Sequence, residues 1–240
     1  MMKKLALLLI LLTFQANAQF WFSKENIKGN GKVITEKRTI GNFSGIKITG
    51  AYKVKIVEGT EGEIMLTTDE NLLPVIETYV KGGELVIKTN KKFNIKRYTE
   101  LSITIPVEDI SKIKITGSAT VRGMQQFHWK NLELYVTGSG SIKLDIDNNE
   151  LSAYVTGSGN IELIGKTQFV EEYVTGSGTI NSKKLQAEKV KAYVTGSGDI
   201  YLYVKTRLKA NVTGSGDIFY TGDPEFLKTK VLGSGRIQKR

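Results

Sequence analysis

The string Thr-Gly-Ser recurs along the second half of the chain. It stands at Thr116, returns as Thr-Gly-Ser-Gly at Thr137, Thr156, Thr175, Thr195 and Thr213, and ends as Leu-Gly-Ser-Gly at Leu232. The spacing between successive signals is nearly constant. A unit this short cannot hold two packed helices, and the residues ahead of each signal alternate as strands do: Leu132, Leu134 and Val136 are apolar, with Glu133, Tyr135 and Thr137 between them. The repetition predicts an all-β fold, a single-stranded parallel β-helix (solenoid) with coils of about 19 residues. A right-handed winding is expected, because parallel crossovers take that hand.

Stacking the repeats on their signal turns the apolar positions into columns. Five residues before the Thr position lie Leu132, Leu151, Val170, Val190, Leu208 and Leu227; one before it lie Val136, Val155, Val174, Val194, Val212 and Val231; five after it lie Ile142, Ile161, Ile180, Ile200, Ile218 and Ile237. Coils stacked at about 4.8 Å bury like on like, so these columns are the expected core. The paired glycines suit a corner, where a residue without Cβ reaches positive φ and lets neighbouring coils approach. A phosphate-cradling loop needs a helix after the glycines, and here a strand follows. A calcium-binding β-roll needs half this period, and only the repeats at Gly196–Asp199 and Gly214–Asp217 carry the Asp.

Upstream, Ile46–Ile56 (IKITGAYKVKI) echoes Ile113–Val121 (IKITGSATV), which places the start of the solenoid near Ser44. The stretch from Thr49 to Thr116 is as long as three to four coils. Glu77–Thr89 reads as two strands joined by a Gly-Gly turn and Asn71–Pro74 as a short helical turn. The expected organisation is a signal peptide over 1–18, an N-terminal segment over 19–43, irregular first coils with a hairpin cap over 44–115, and the regular solenoid over 116–240. The signal reading rests on Lys3 and Lys4, the apolar run Leu5–Leu12 and Ala16-Asn17-Ala18, with cleavage leaving Gln19 first. That predicts export, to the periplasm, the outer surface or the medium, and no later run reaches the roughly 20 apolar residues of a spanning helix.

Composition narrows the chemistry. With no cysteine and one histidine among 240 residues, disulfide scaffolds and Cys/His zinc sites are excluded, and no lipid-anchoring cysteine exists. The net charge of +10 favours anionic partners such as glycan, lipopolysaccharide or membrane surface. Nucleic acid is not expected, since no clustered basic reading element is present and export removes that partner.

These residues resemble the family called "putative auto-transporter adhesin, head GIN domain", common in Bacteroidetes. The resemblance is carried by FSGIKITGAYKVKIVEG at Phe43–Gly59, LLPVIETYVKGGELVI at Leu72–Ile87, ITIP at Ile103–Pro106 and the VTGSG series. It implies an exported, envelope-associated β-solenoid with an adhesive role. It brings no catalytic or ligand positions. The coils run to Ile237, so no translocator barrel is expected within this sequence.

Candidate site residues come from the outward columns. Two before the Thr position lie Tyr135, Tyr154, Tyr173 and Tyr193, followed by Asn211 and Lys230. Four tyrosines at one coil spacing make a stripe that offers rings and hydroxyls to a sugar or a protein, or else braces the sheet. The Thr ladder beside them lacks the flatness of an ice-binding array. Asp199 and Asp217 would stack about 5 Å apart, the spacing of a retaining glycosidase pair, yet Arg236 follows in the same column and suggests a compensated surface ladder. His128 has no evident carboxylate partner in sequence, and Phe20-Trp21-Phe22 reads as a docked tail or an interfacial cluster. The expected function is non-catalytic binding of glycan or another envelope macromolecule, without metal or cofactor. The alternatives are a glycan-cleaving enzyme on the same scaffold and a purely structural envelope protein.

Overall fold

The computed structural model describes residues 24–240, so the expected signal segment and Phe20-Trp21-Phe22 lie outside the described residues. The repeats form a two-faced parallel solenoid. On one face, β3 (Gly45–Gly50), β10 (Lys112–Gly117), β12 (Asn131–Gly138), the second halves of β13 (Ser141–Gly157), β14 (Asn160–Gly176) and β15 (Thr179–Gly196), then β17 (Arg207–Gly214) and β19 (Phe226–Gly233) pair in parallel, coil upon coil. The opposite face stacks β4 (Lys53–Glu58), β11 (Thr120–Phe127), the first halves of β13, β14 and β15, then β16 (Asp199–Tyr203), β18 (Asp217–Thr221) and β20 (Arg236–Lys239).

Register follows the repeat signal. Val136, Val155, Val174, Val194 and Val212 are direct partners on successive strands and are all buried, as are Leu132, Leu151, Val170, Val190 and Leu208. The core is therefore a single slab of like-on-like columns closed between the two faces. The columns end in the last coil, where Leu227 is 48% and Val231 40% exposed. Those two were expected in the core; among the described residues no further coil covers them, and they are exposed instead.

Each Thr-Gly-Ser-Gly forms the corner between faces. Gly157 has φ +112°, and a Cβ there would sit 2.7 Å from the Gly138 carbonyl oxygen of the preceding coil. Gly159 has an ordinary φ, but a Cβ there would collide with Val136 Cγ1. One glycine is required by backbone conformation and closeness together, the other by closeness alone. The Ser158 N–H donates to the Gly138 carbonyl at 2.9 Å, continuing the ladder through the corner.

The chain between Thr49 and Thr116 does not make three to four coils. Thr116 lies directly beside Thr49, and Ile113 and Ile115 beside Ile46 and Ile48, so the chain leaves the stack and returns to the same edge. On the far side of β3 and β4 the excursion adds one further layer, β7 (Glu84–Thr89) and β9 (Leu101–Val107), both parallel to their neighbours. Antiparallel strands then close this end: β6 (Ile76–Lys81) folds back on β7 through Gly82-Gly83, while β5 (Glu63–Asp69) covers β9 and is itself covered by β2 (Val33–Thr39). A 3-10 turn over Glu70–Val75 places buried Leu72, Leu73 and Val75 across the end of the core. Outside it, β1 (Glu25–Lys28) pairs with β8 (Phe93–Arg97). Asp69 ties the cap together, accepting from the N–H groups of Gly31 (2.6 Å) and Thr99 (2.7 Å), and these contacts hold its carboxyl below the usual range.

Candidate functional site

Strand alternation sends the residue two before each signal Thr outward, while its neighbours on either side enter the core. Tyr135, Tyr154, Tyr173 and Tyr193 consequently stand in one row on the first face, each half-buried. Coil spacing brings their rings face to face, with centroids 4.7, 4.9 and 4.7 Å apart and planes within 6–9°. A cation stands over each end of the pile, Lys114 at 5.8 Å from the Tyr135 ring and Lys209 at 5.7 Å from Tyr193. The ring faces are thus occupied by one another. What remains for a ligand is the row of ring edges and hydroxyls.

The hydroxyls fall into two kinds. Tyr135 donates to Glu133 Oε2 and Tyr173 to Glu171 Oε2, each at 2.9 Å, whereas Tyr154 and Tyr193 have no hydrogen-bond partner among the described residues. Burial, reinforced by the Glu133 carboxylate, pushes the Tyr135 phenol up to about 12, and burial with Glu171 raises Tyr173 likewise. These phenols are donors at any physiological pH and supply no base. Lys191 lies 2.7 Å from Glu171 and holds that carboxyl below its ordinary range. The Thr row alongside is exposed at Thr137, Thr156, Thr175 and Thr195.

The other sequence candidates are placed apart from this row. Asp199 and Asp217 are adjacent on the opposite face, but Asp199 accepts from the Asp217 N–H at 3.0 Å and Asp217 pairs with Arg236 at 2.7 Å. Arg236 holds the Asp217 carboxyl below its ordinary range. His128 is 70% exposed and does have a carboxylate near it, Asp147 at 3.9 Å, which sequence reasoning missed because the two belong to different coils and meet only when these stack. That carboxylate is already paired with Lys166 at 3.0 Å. Flanking Phe127 and Trp129 stack at 4.4 Å in the core, which makes the segment a packing element. Among the described residues no group of three His, Asp or Glu is arranged to hold a metal ion.

Glu172 also escaped the sequence reading. It points inward, is completely buried, and neither carboxylate oxygen has a hydrogen-bond partner. Burial pushes its carboxyl up to about 7, with the nearby Ser182 hydroxyl pulling the other way. The signal was present three residues before Thr175, in a column that otherwise holds Ile113, Leu134, Ala153, Ala192, Ala210 and Thr229.

The parallel two-faced solenoid with its N-terminal cap defines a class. Residues 42–224 match the family described as "Putative auto-transporter adhesin, head GIN domain", and the chain belongs to that family. Among solved structures, it is similar to a putative adhesin of Bacteroides fragilis NCTC 9343 (TM-score 0.84, 23% identity, 89% of this chain and 100% of that one). It is similar also to a putative adhesin of Parabacteroides merdae ATCC 43184 (0.77, 25%, 90% and 99%) and to a putative lipid binding protein of Parabacteroides distasonis ATCC 8503 (0.76, 28%, 90% and 100%). Comparison with curated proteins gives no match. No helix among the described residues is long and apolar enough to cross a membrane.

Proposed function

We propose that the chain is an exported, non-catalytic binder of the adhesin type that holds an extended glycan of the cell envelope or surface along the tyrosine row. The observation that carries this reading is the row itself. Four rings follow one another at 4.7, 4.9 and 4.7 Å, a spacing fixed by the backbone, with two hydroxyls unpartnered and a Thr ladder beside them. A repeating polymer can meet such a repeating row with one contact per coil, and each weak contact then adds to the next. Because ring faces are covered, recognition runs through hydrogen bonds from ring-edge hydroxyls rather than through stacking on sugar faces.

Replacing tyrosine by phenylalanine removes the hydroxyl and keeps the pile. In a glycan-array screen, Tyr154→Phe and Tyr193→Phe are expected to weaken binding of a retained polysaccharide about fivefold each with an unchanged melting temperature, since a lost hydrogen bond to a neutral partner is worth roughly 1 kcal/mol. Lys191→Ala serves as the charge control. Normal binding by both phenylalanine variants would refute the row as the site. A reducing-end assay on the same polysaccharides bears on the enzymatic alternative, which would replace this reading if turnover were found and Asp199→Asn abolished it.

A further inference from the structure

The last two coils differ from the rest of the molecule in charge and exposure together. Residues 204–240 carry eight Lys/Arg and three Asp/Glu, a net +5 out of the +8 on residues 24–240. On the flank of the first face a groove of about 420 Å³ lies between Phe169 and Phe226, lined by Lys191, which is paired with Glu171, and by four further cations, Lys189, Arg207, Lys209 and Lys228. None of these four makes an ion pair among the described residues, and Arg207 lies over the Phe226 ring at 4.4 Å. All of β19 is exposed, including Phe226 at 43% and Leu232 at 53%, beside the uncovered core ends Leu227 and Val231. The strand pairs with β17 on one side only, which leaves its other backbone edge open.

We infer that this end of the solenoid docks on an anionic lipid surface. Unpaired cations set among exposed apolar side chains are the composition of an interfacial element: the cations meet headgroup phosphates while Phe226, Leu227 and Leu232 enter the boundary below them. The open backbone edge stays at headgroup depth, where water satisfies it. A second copy is a poorer occupant. Tail-to-tail pairing would set the Lys228 and Lys230 row against itself, and a head-to-tail stack would find the opposite end closed by its antiparallel strands. This inference does not depend on what the tyrosine row binds, because β19, the exposed strand that carries it, holds none of the four tyrosines.

The test is co-sedimentation of the chain beginning at Gln19 with vesicles of phosphatidylcholine alone or mixed with phosphatidylglycerol. Binding is expected to the mixed vesicles only and to fall as salt is added. Lys228→Gln with Lys230→Gln should weaken partitioning roughly 30-fold at low salt, from about 1 kcal/mol per basic residue. Leu232→Ser should weaken it without moving the melting temperature, and Tyr154→Phe should leave it untouched. The inference is overturned by absence of binding to mixed vesicles or by equal binding of the lysine variant. It is also overturned if binding is lost only on replacing Phe20-Trp21-Phe22 by serines, or if sedimentation equilibrium shows a dimer that Leu232→Ser dissolves.

Discussion

A carboxyl group enclosed by alanine and valine columns, with both oxygens unpartnered, keeps its proton because ionising it would bury a bare charge. For Glu172 the consequence can be stated as a pH dependence. Its folded-state pKa is about 7 against 4.5 for an unperturbed glutamate. Below pH 4.5 both folded and unfolded chains carry the proton, and the group is neutral toward stability. Between 4.5 and about 7 the unfolded chain releases it while the folded chain keeps it, so stability falls as pH rises, by roughly 3 kcal/mol across the window, and stays lowered above it. Glu172→Gln is uncharged at every pH and close in shape. Its melting temperature should match the parent's near pH 4 and exceed it near pH 8, with the difference opening across that window. A difference independent of pH would mean that Glu172 is ionised or solvated in the folded protein. The same scale governs Tyr154, whose ring lies between two others. Tyr154→Ala leaves Tyr135 and Tyr173 facing a gap and should cost about 1–2 kcal/mol in a denaturant titration, beyond any effect on binding.

Among the elements, the corner decides whether coils can stack. Gly159→Ala should be destabilising by about 3 kcal/mol through overpacking against Val136 and the Gly140 carbonyl, and Gly157→Ala by at least as much, because strain at φ +112° is added to its collision with Gly138. Ser158, between them and exposed, should tolerate alanine within about 0.5 kcal/mol. Comparable losses for all three in equilibrium unfolding would show that serine, not closeness, sets the corner. Val174→Asp should fail to fold or lose more than about 4 kcal/mol, since Val155 and Val194 enclose it on both sides. These corners and columns were readable beforehand because a stacked coil must repeat its close approaches and its buried residues at the same offset. Glu172 is legible by the same logic, in a fourth column whose pattern is weaker because it mixes Ile113 and Leu134 with three alanines and Thr229. The tyrosines were read correctly as outward, but the spacing that aligned them also closes their faces. The return of Thr116 to the edge of Thr49 was not legible: the chain between them carries no repeat, and strand alternation alone does not say which edge a strand will join or in which direction.

For the whole molecule, the two ends of the solenoid are unequal, and this asymmetry should govern how it opens. At the N-terminal end Asp69 gathers the Gly31 and Thr99 amides, and Leu72, Leu73 and Val75 cover the core, so opening there must break tertiary contacts as well as a ladder. At the other end β19 and β20 rest on a single neighbour each and hide little apolar surface. In a stack whose stability is a sum of coil and nearest-neighbour terms, the outermost coil lacks one interface and is the least costly to release. Native-state hydrogen exchange should therefore show amides of Phe226–Gly233 exchanging through local opening, while those of β13 and β14 exchange only with global unfolding. Glu172→Gln, which acts on an interior coil, should raise the protection of β13 and β14 near pH 8 and leave β19 unchanged. Uniform protection from β3 to β19 would show instead that the coils open as one cooperative unit. If anionic vesicles then raised protection in β19 alone, the coil that frays in solution would be the one held at the lipid surface.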